Sequence, residues 1–181
     1  MIIASTPVAR PRTLPSQKDR QMGTTTRSDL ASGGTSVVLR AGSDLDFSAL
    51  VRVWRSAVDA THAFLSDEDR RSIENLLASD YLPAVRLTVA DRDGKPVAFA
   101  GTSEGRLEML FVDDAYRGHG IGTALLEHVR RADGVTDVDV NEQNSDAVAF
   151  YESRGFVRVG RSDLDGAGRP YPILHMVRPS E

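Results

Sequence analysis

The 181-residue chain contains no cysteine, which removes disulfides, thiolate metal sites and cysteine acyl-enzymes at once. Lysine is nearly missing as well: Lys18 and Lys95 stand against twenty arginines, a bias that reads as codon usage rather than as a binding signature. No stretch approaches the roughly 20 consecutive apolar residues that a bilayer span requires. The first ten residues, MIIASTPVAR, lack the charged start and long apolar core of a signal peptide. These absences predict a cytoplasmic protein without a membrane partner. The four histidines (His62, His119, His128 and His175) show no ligand spacing, so no metal is expected.

What is present describes one globular domain with a tail. Hydrophobic residues make up 40% and charged residues 27% of the chain, ordinary values for a protein with one core. The net charge of −4 is divided unevenly. Residues 1–35 carry Arg10, Arg12, Lys18, Arg20 and Arg27 against Asp19 and Asp29, a net +3, which leaves −7 for the rest. An acidic body fits a cationic substrate better than nucleic acid. Rich in Ser, Thr, Pro, Gly and Arg and without periodicity, residues 1–35 are expected to be a disordered extension, and residues 36–181 the folded domain.

Within that domain the hydrophobic period switches between helical and extended. A short strand over residues 37–40 precedes the capping-box-like Ser43-x-x-Asp46, after which Phe47, Leu50, Val51, Trp54, Ala57 and Val58 follow at helical spacing. Ser66-x-x-Asp69 opens a second helix that continues through Ile73, Leu76 and Leu77 and stops before Pro83. Three antiparallel strands are then expected over residues 86–90, 96–102 and 106–112, joined by turns at Asp93-Gly94 and Glu104-Gly105. A helix over 122–132, a strand over 135–140, a helix over 145–154 closed by Gly155, and strands over 156–160 and 173–177 complete the order β-αα-βββ-α-β-α-ββ. That order specifies a mixed α/β (α+β) domain with a mostly antiparallel sheet and helices on both faces.

Residues 107–129 carry the strongest chemical signal: an apolar strand, a turn with Gly118, Gly120 and Gly122 at alternate positions, then an amphipathic helix. Glycine permits close approach of backbone to a ligand, and a helix start offers unpaired N–H groups at a positive dipole end, so the segment reads as a phosphate pocket. A P-loop is ruled out by the lack of a Gly-Lys-Ser/Thr sequence. A dinucleotide fingerprint fits poorly, because its third glycine would fall on Thr123 and the preceding meander is not a βαβ unit, although Asp139 lies at a suitable distance downstream.

The sequence R-G-H-G-I-G (residues 117–122) resembles the acetyl-CoA pyrophosphate loop, R-x-x-G-x-G, of the GNAT superfamily of N-acetyltransferases. Asn144-x-x-Ala147-x-x-Phe150-Tyr151-Glu152-x-x-Gly155-Phe156 resembles a second segment of that family, and the order of elements agrees. The segments V-D-A-T-H-A-F-L-S, V-N-E-Q-N and G-R-P-Y-P are similar to the bacterial YjaB-type branch. The resemblance implies direct acetyl transfer from acetyl-CoA to a primary amine, on a small molecule or a peptidyl lysine. It also implies a cofactor cleft between the fourth and fifth strands, with main-chain groups of Leu110, Phe111 and Val112 along the acetyl-pantetheine arm and those of Arg117, Gly118, His119, Gly120, Ile121, Gly122 and Thr123 around the pyrophosphate.

By the same resemblance Tyr151 is the general acid beside the sulfur and Asn144 a contact of the cofactor arm. Residue chemistry alone also admits Tyr151 as a half-buried helix aromatic and Asn144 as a helix cap. Three choices of base stay open: Glu108, which the strand period places with Leu110 and Val112; Asp139; and a water chain. His62, after the first helix, is a candidate for the acceptor pocket. Two alternatives keep the cleft and change the chemistry: a non-catalytic acyl-CoA-binding module, and transfer from a different acyl-CoA. A monomer and a homodimer both suit the sequence.

Overall fold

The computed structural model describes residues 37–179; the expected tail over residues 1–35 lies outside them. Seven strands form one sheet: β1 (Val38–Ala41), β2 (Arg86–Arg92), β3 (Lys95–Ser103), β4 (Arg106–Val112), β5 (Asp137–Asn141), β6 (Val157–Ser162) and β7 (Ile173–Val177). Their spatial order is β1-β2-β3-β4-β5-β7-β6, and every neighbouring pair is antiparallel except β4 and β5. Both hairpins of the meander turn on a positive-φ pair, Asp93-Gly94 and Glu104-Gly105, the backbone that right-twisted strands require of a two-residue loop.

Helices cover both faces. α1 (Phe47–Thr61) and α2 (Asp67–Leu76) lie on one, α3 (Ile121–Asp133) and α4 (Ser145–Glu152) on the other. On the first face Leu50, Trp54 and Val58 of α1 pack with Val89, Phe99 and Phe111. On the second, Leu125, Leu126 and Val129 of α3 pack against Ala98, Ala100, Leu107 and Val138. Each of these α3 side chains is fully buried and contributes about 1.5–3 kcal/mol relative to exposure.

The entrance to α1 is set by charge. Asp46 accepts from the Ser43 N–H at 2.8 Å and from both terminal nitrogens of Arg40 at 2.7 and 2.9 Å. The Arg40 guanidinium therefore holds the Asp46 carboxyl below its ordinary value. At α2 the expected cap forms, with Ser66 Oγ accepting from the Asp69 N–H at 3.1 Å.

Three details depart from the sequence expectation. The second helix does not run on regularly to Pro83: it ends at Leu76, widens into a π turn over Leu77–Tyr81 and tightens into a 3₁₀ turn over Leu82–Ala84. Tyr81 and Leu82 are thereby both buried. The fifth strand starts at Asp137 rather than 135, because the chain leaving α3 through Gly134 (φ +66°) needs residues 135 and 136 to reach the sheet. On β4 a bulge interrupts the alternation: Gly101 pairs with Met109 but Thr102 with Leu107, so Glu108 is an extra residue.

Candidate active site

The bulge and the single parallel pair together open the cleft. β4 and β5 are paired only at Arg106↔Asp137 and Leu107↔Val138. Beyond that point the strands part, and the backbone of Leu110, Phe111 and Val112 has no partner on the β5 side. The gap continues into a cavity of about 380 Å³, within the range of small-molecule sites. Leu110 and Val112 line it from β4, Gly118, Gly120, Ile121, Gly122 and Thr123 from the loop and α3, and Asn144, Phe150 and Tyr151 from α4.

The glycine loop shapes one end. Gly118 and Gly120 both have φ near +78°, and nothing lies within 4 Å of a Cβ built on either, so backbone conformation and not space selects glycine there. Gly120 is the N-cap of α3 and gives it no capping side chain; the first intrahelical bond runs from Ala124 N–H to Gly120 C=O at 3.0 Å. The N–H groups at positions 121–123 are thus left without a helical partner, at the positive end of a 13-residue helix. Gly122 is different: a Cβ there would stand 3.6 Å from Phe150 and Val112, inside the cleft lining.

Two arginines border this end. Arg154 stacks over the Phe150 ring at 3.7 Å and donates to Thr123 Oγ1 at 2.5 Å. Arg117 reaches across to Asp146 at 3.2 Å. No sequence motif marks Arg154 for this place. Gly155 (φ +81°) folds the chain back after α4, and the Arg154 side chain returns along that helix to donate to the Phe150 carbonyl at 2.8 Å. His119, by contrast, is exposed, its Nδ1 2.9 Å from the Arg117 carbonyl oxygen, and only its backbone belongs to the loop.

Tyr151 is buried and lines the cleft, edge-on to Phe150 (5.0 Å) and Phe156 (5.6 Å). Burial drives its phenol well above the ordinary value, with the Arg154 charge opposing; the group stays protonated and can donate. Asn144 is the cap of α4, its Oδ1 accepting from the Ala147 N–H at 3.0 Å, and the residue also borders the cleft.

The bulge corrects one expectation. Glu108 does not share a face with Leu110 and Val112. Leu107 and Leu110 both pack on the α3/α4 side, so the extra residue between them is displaced to lie with Arg106 and Asp139. Burial raises the Glu108 carboxyl above its ordinary value, Arg106 opposes that, and the charges of Asp139 and Glu104 add to it. Asp139 is itself buried and bonded, to Arg106 at 2.8 Å and to His175 Nδ1 at 2.7 Å. His62 lies outside the main cleft lining; with Phe64, Asn141 and Tyr171 it borders a second, small cavity, and its Nδ1 is 2.8 Å from Thr61 Oγ1, while Thr61 lines the cleft. Among the described residues no group of three or more His, Asp or Glu is placed to hold a metal, and no helix is long and apolar enough to cross a membrane.

The comparisons with known proteins converge on one family. A model of the acetyltransferase (GNAT) domain matches residues 83–158. The chain is 46% identical over 132 residues to the peptidyl-lysine N-acetyltransferase YjaB of Salmonella typhimurium, covering 72% of this chain and 90% of that protein. For the Escherichia coli YjaB the identity is 44% over 129 residues, covering 70% and 86%. The solution structure of apo YjaB from Escherichia coli superposes with a TM-score of 0.73 at 38% identity, over 80% of this chain and 99% of that one. An N-acetyltransferase from Thermoplasma acidophilum, solved with coenzyme A, shares the fold at 22% identity and a TM-score of 0.64, over 80% of this chain and 99% of that one.

Proposed function

Since this chain belongs to the GNAT family of N-acetyltransferases, we propose that it transfers the acetyl group of acetyl-CoA to the ε-amine of a protein lysine. The parting of β4 from β5 after Leu107↔Val138 carries this reading: it leaves strand backbone free to pair with an extended acyl-pantetheine arm, beside Tyr151 and Asn144. The lysine acceptor is supported by the relatives named for peptidyl-lysine transfer. It is also supported by the charge where the strands diverge: the carboxylates of Glu104, Glu108 and Asp139 outnumber the one cation among them, Arg106, a setting that attracts an ammonium.

In this mechanism acetyl-CoA is consumed as a substrate. The N–H groups at positions 121–123 and the α3 dipole hold its pyrophosphate, with Arg154 adding charge. A main-chain N–H of Leu110, Phe111 or Val112 polarises the thioester oxygen as negative charge develops on it. The lysine enters from the sheet face that bears Glu108 and Asp139 and attacks as the neutral amine. Tyr151, kept protonated by burial, donates to the departing sulfur. His62 is kept as an acceptor-side residue, because the small cavity it borders with Phe64 and Tyr171 also reaches Asn141, two residues beyond Asp139 on β5.

The test is a thermal-shift titration followed by thiol release. Acetyl-CoA should raise the melting temperature where NAD does not, and free thiol should appear with lysine-containing peptides. A shift with NAD alone sinks the cleft assignment. Stabilisation by acetyl-CoA without thiol release to any amine would favour an acyl-CoA-binding module instead.

A further inference from the structure

On the sheet face that bears Glu108, a line of polar side chains crosses four strands. Arg106 of β4 bonds Asp139 of β5 at 2.8 Å and lies 3.8 Å from Glu108. Asp139 bonds His175 Nδ1 of β7 at 2.7 Å, and His175 Nε2 lies 2.8 Å from Ser162 Oγ of β6. An ionised carboxylate only accepts, so Nδ1 carries the hydrogen donated to Asp139, and in the neutral ring Nε2 is the acceptor for the Ser162 hydroxyl. Asp139 has one oxygen on His175 and the other on Arg106, which commits it to orienting the ring.

The surrounding backbone accommodates that ring. β6 bulges between Arg158 and Gly160, and Gly160 pairs directly with His175. A Cβ at Gly160 would stand 3.3 Å from His175 Cδ2, so a larger residue there would press on the imidazole. Two fifths of the His175 side chain is exposed, whereas Asp139 is buried. The charged groups around the ring are Asp139 from β5, with Arg106 and Glu108 of β4 beyond it; β6 contributes the Ser162 hydroxyl and Gly160. The line begins beside Leu107↔Val138, where β4 and β5 part.

We propose that His175 is the acceptor for the proton that the lysine ammonium must lose, with Asp139 and Ser162 as its positioning residues. The inference rests on the lysine-transfer reading above. The ammonium gives one proton through water to the Ser162 hydroxyl oxygen, which passes its own hydrogen to His175 Nε2 and then accepts from the imidazolium. The neutral nitrogen then forms the C–N bond as the C–S bond breaks. The second N–H proton balances the one Tyr151 delivers to sulfur, and His175 releases the first to solvent, one proton per turnover. Asp139 keeps Nε2 as the basic nitrogen and stabilises the imidazolium, a role a carboxylate fills without itself becoming protonated.

The experiment is the pH profile of kcat/KM for a lysine peptide at saturating acetyl-CoA, in wild type, His175→Asn, Asp139→Asn and Glu108→Gln. Melting temperature and acetyl-CoA affinity serve as folding controls, and Asn at 175 can still donate to Asp139. Wild type should show an acidic limb, where the proton acceptor is already occupied. His175→Asn should lose that limb, with kcat falling on the order of 10²-fold and the peptide KM little changed. Asp139→Asn should lower kcat with melting temperature held, because an amide can donate to Nδ1 and so no longer fixes Nε2 as the bare nitrogen. A folded His175→Asn that keeps the wild-type limb and rate overturns the proposal, as does removal of the limb by Glu108→Gln alone. A wild type inactive on every lysine peptide overturns the lysine-transfer reading itself, a different result.

Discussion

Gly120 offers a sharp separation of folding from binding, because the fold contains a matched control. Gly120 has φ +78° and Gly94 φ +76°, and at both the space around a would-be Cβ is empty to 4 Å. Gly120 lines the cleft; Gly94 sits at the tip of the β2–β3 hairpin. Replacing either with alanine imposes the same penalty, about 1–2 kcal/mol for an L side chain in the left-handed region. For a domain of this size that lowers Tm by about 2–8 °C. Only Gly120→Ala should also lose acetyl-CoA, since strain at the N-cap misaligns the N–H groups at 121–123. Loss of one hydrogen bond to a charged group costs about 1.5–3 kcal/mol, roughly 10- to 150-fold in Kd. The assay is calorimetric titration of acetyl-CoA into both variants, with thermal denaturation run alongside. Equal affinity in the two variants, or equal losses, would refute the placement of the pyrophosphate at the α3 N-terminus.

Tyr151→Phe should lower kcat about 10²-fold or more with acetyl-CoA affinity nearly unchanged; stopped thiol-release assays check it, and full retained turnover removes Tyr151 as the acid. Asp46→Asn should destabilise the fold by about 1.5–3 kcal/mol at neutral pH, because Asp46 anchors Arg40 and the Ser43 N–H. Its carboxyl is held below its ordinary value, so its stabilisation is present above that value and lost as pH falls through the folded pKa; urea denaturation against pH should show a flatter acid limb in the variant. Glu108 has the opposite sign. Its folded carboxyl is raised, so its contribution is full below the ordinary value and lost as pH rises through the folded one, and Glu108→Gln should gain stability relative to wild type across that rise. Tyr171→Phe removes a hydroxyl that donates to Asp69 at 2.5 Å and accepts from Ser66 N–H at 3.2 Å, tying the 163–172 loop to the start of α2; the KM for a lysine peptide should rise more than the KM for acetyl-CoA.

What the sequence made legible was local. The glycine loop, the Asp93-Gly94 and Glu104-Gly105 turns, the Ser66 cap and the Asn144–Phe156 segment each lie within a dozen residues, and their geometry follows from φ preferences and capping. The cross-strand features were not legible. Strand alternation predicted Glu108 beside Leu110, and a single inserted residue, visible only once β3 and β4 are in register, moved it towards Asp139. His175 illustrates the same limit: its pairing with Asp139 depends on β7 being inserted between β5 and β6, an order that no local period specifies. Arg154 lies between the two cases, three residues beyond Tyr151 but returned along α4 by the turn at Gly155.

Where the acetyl group goes decides the function most directly. Mass spectrometry of a lysine peptide incubated with the protein and acetyl-CoA, beside the same peptide with its ε-amine blocked, measures that. The structure predicts one acetyl group on the free ε-amine, none on the blocked peptide, and a rate that falls in Tyr151→Phe. Unmodified peptide alongside intact or merely hydrolysed acetyl-CoA would contradict it.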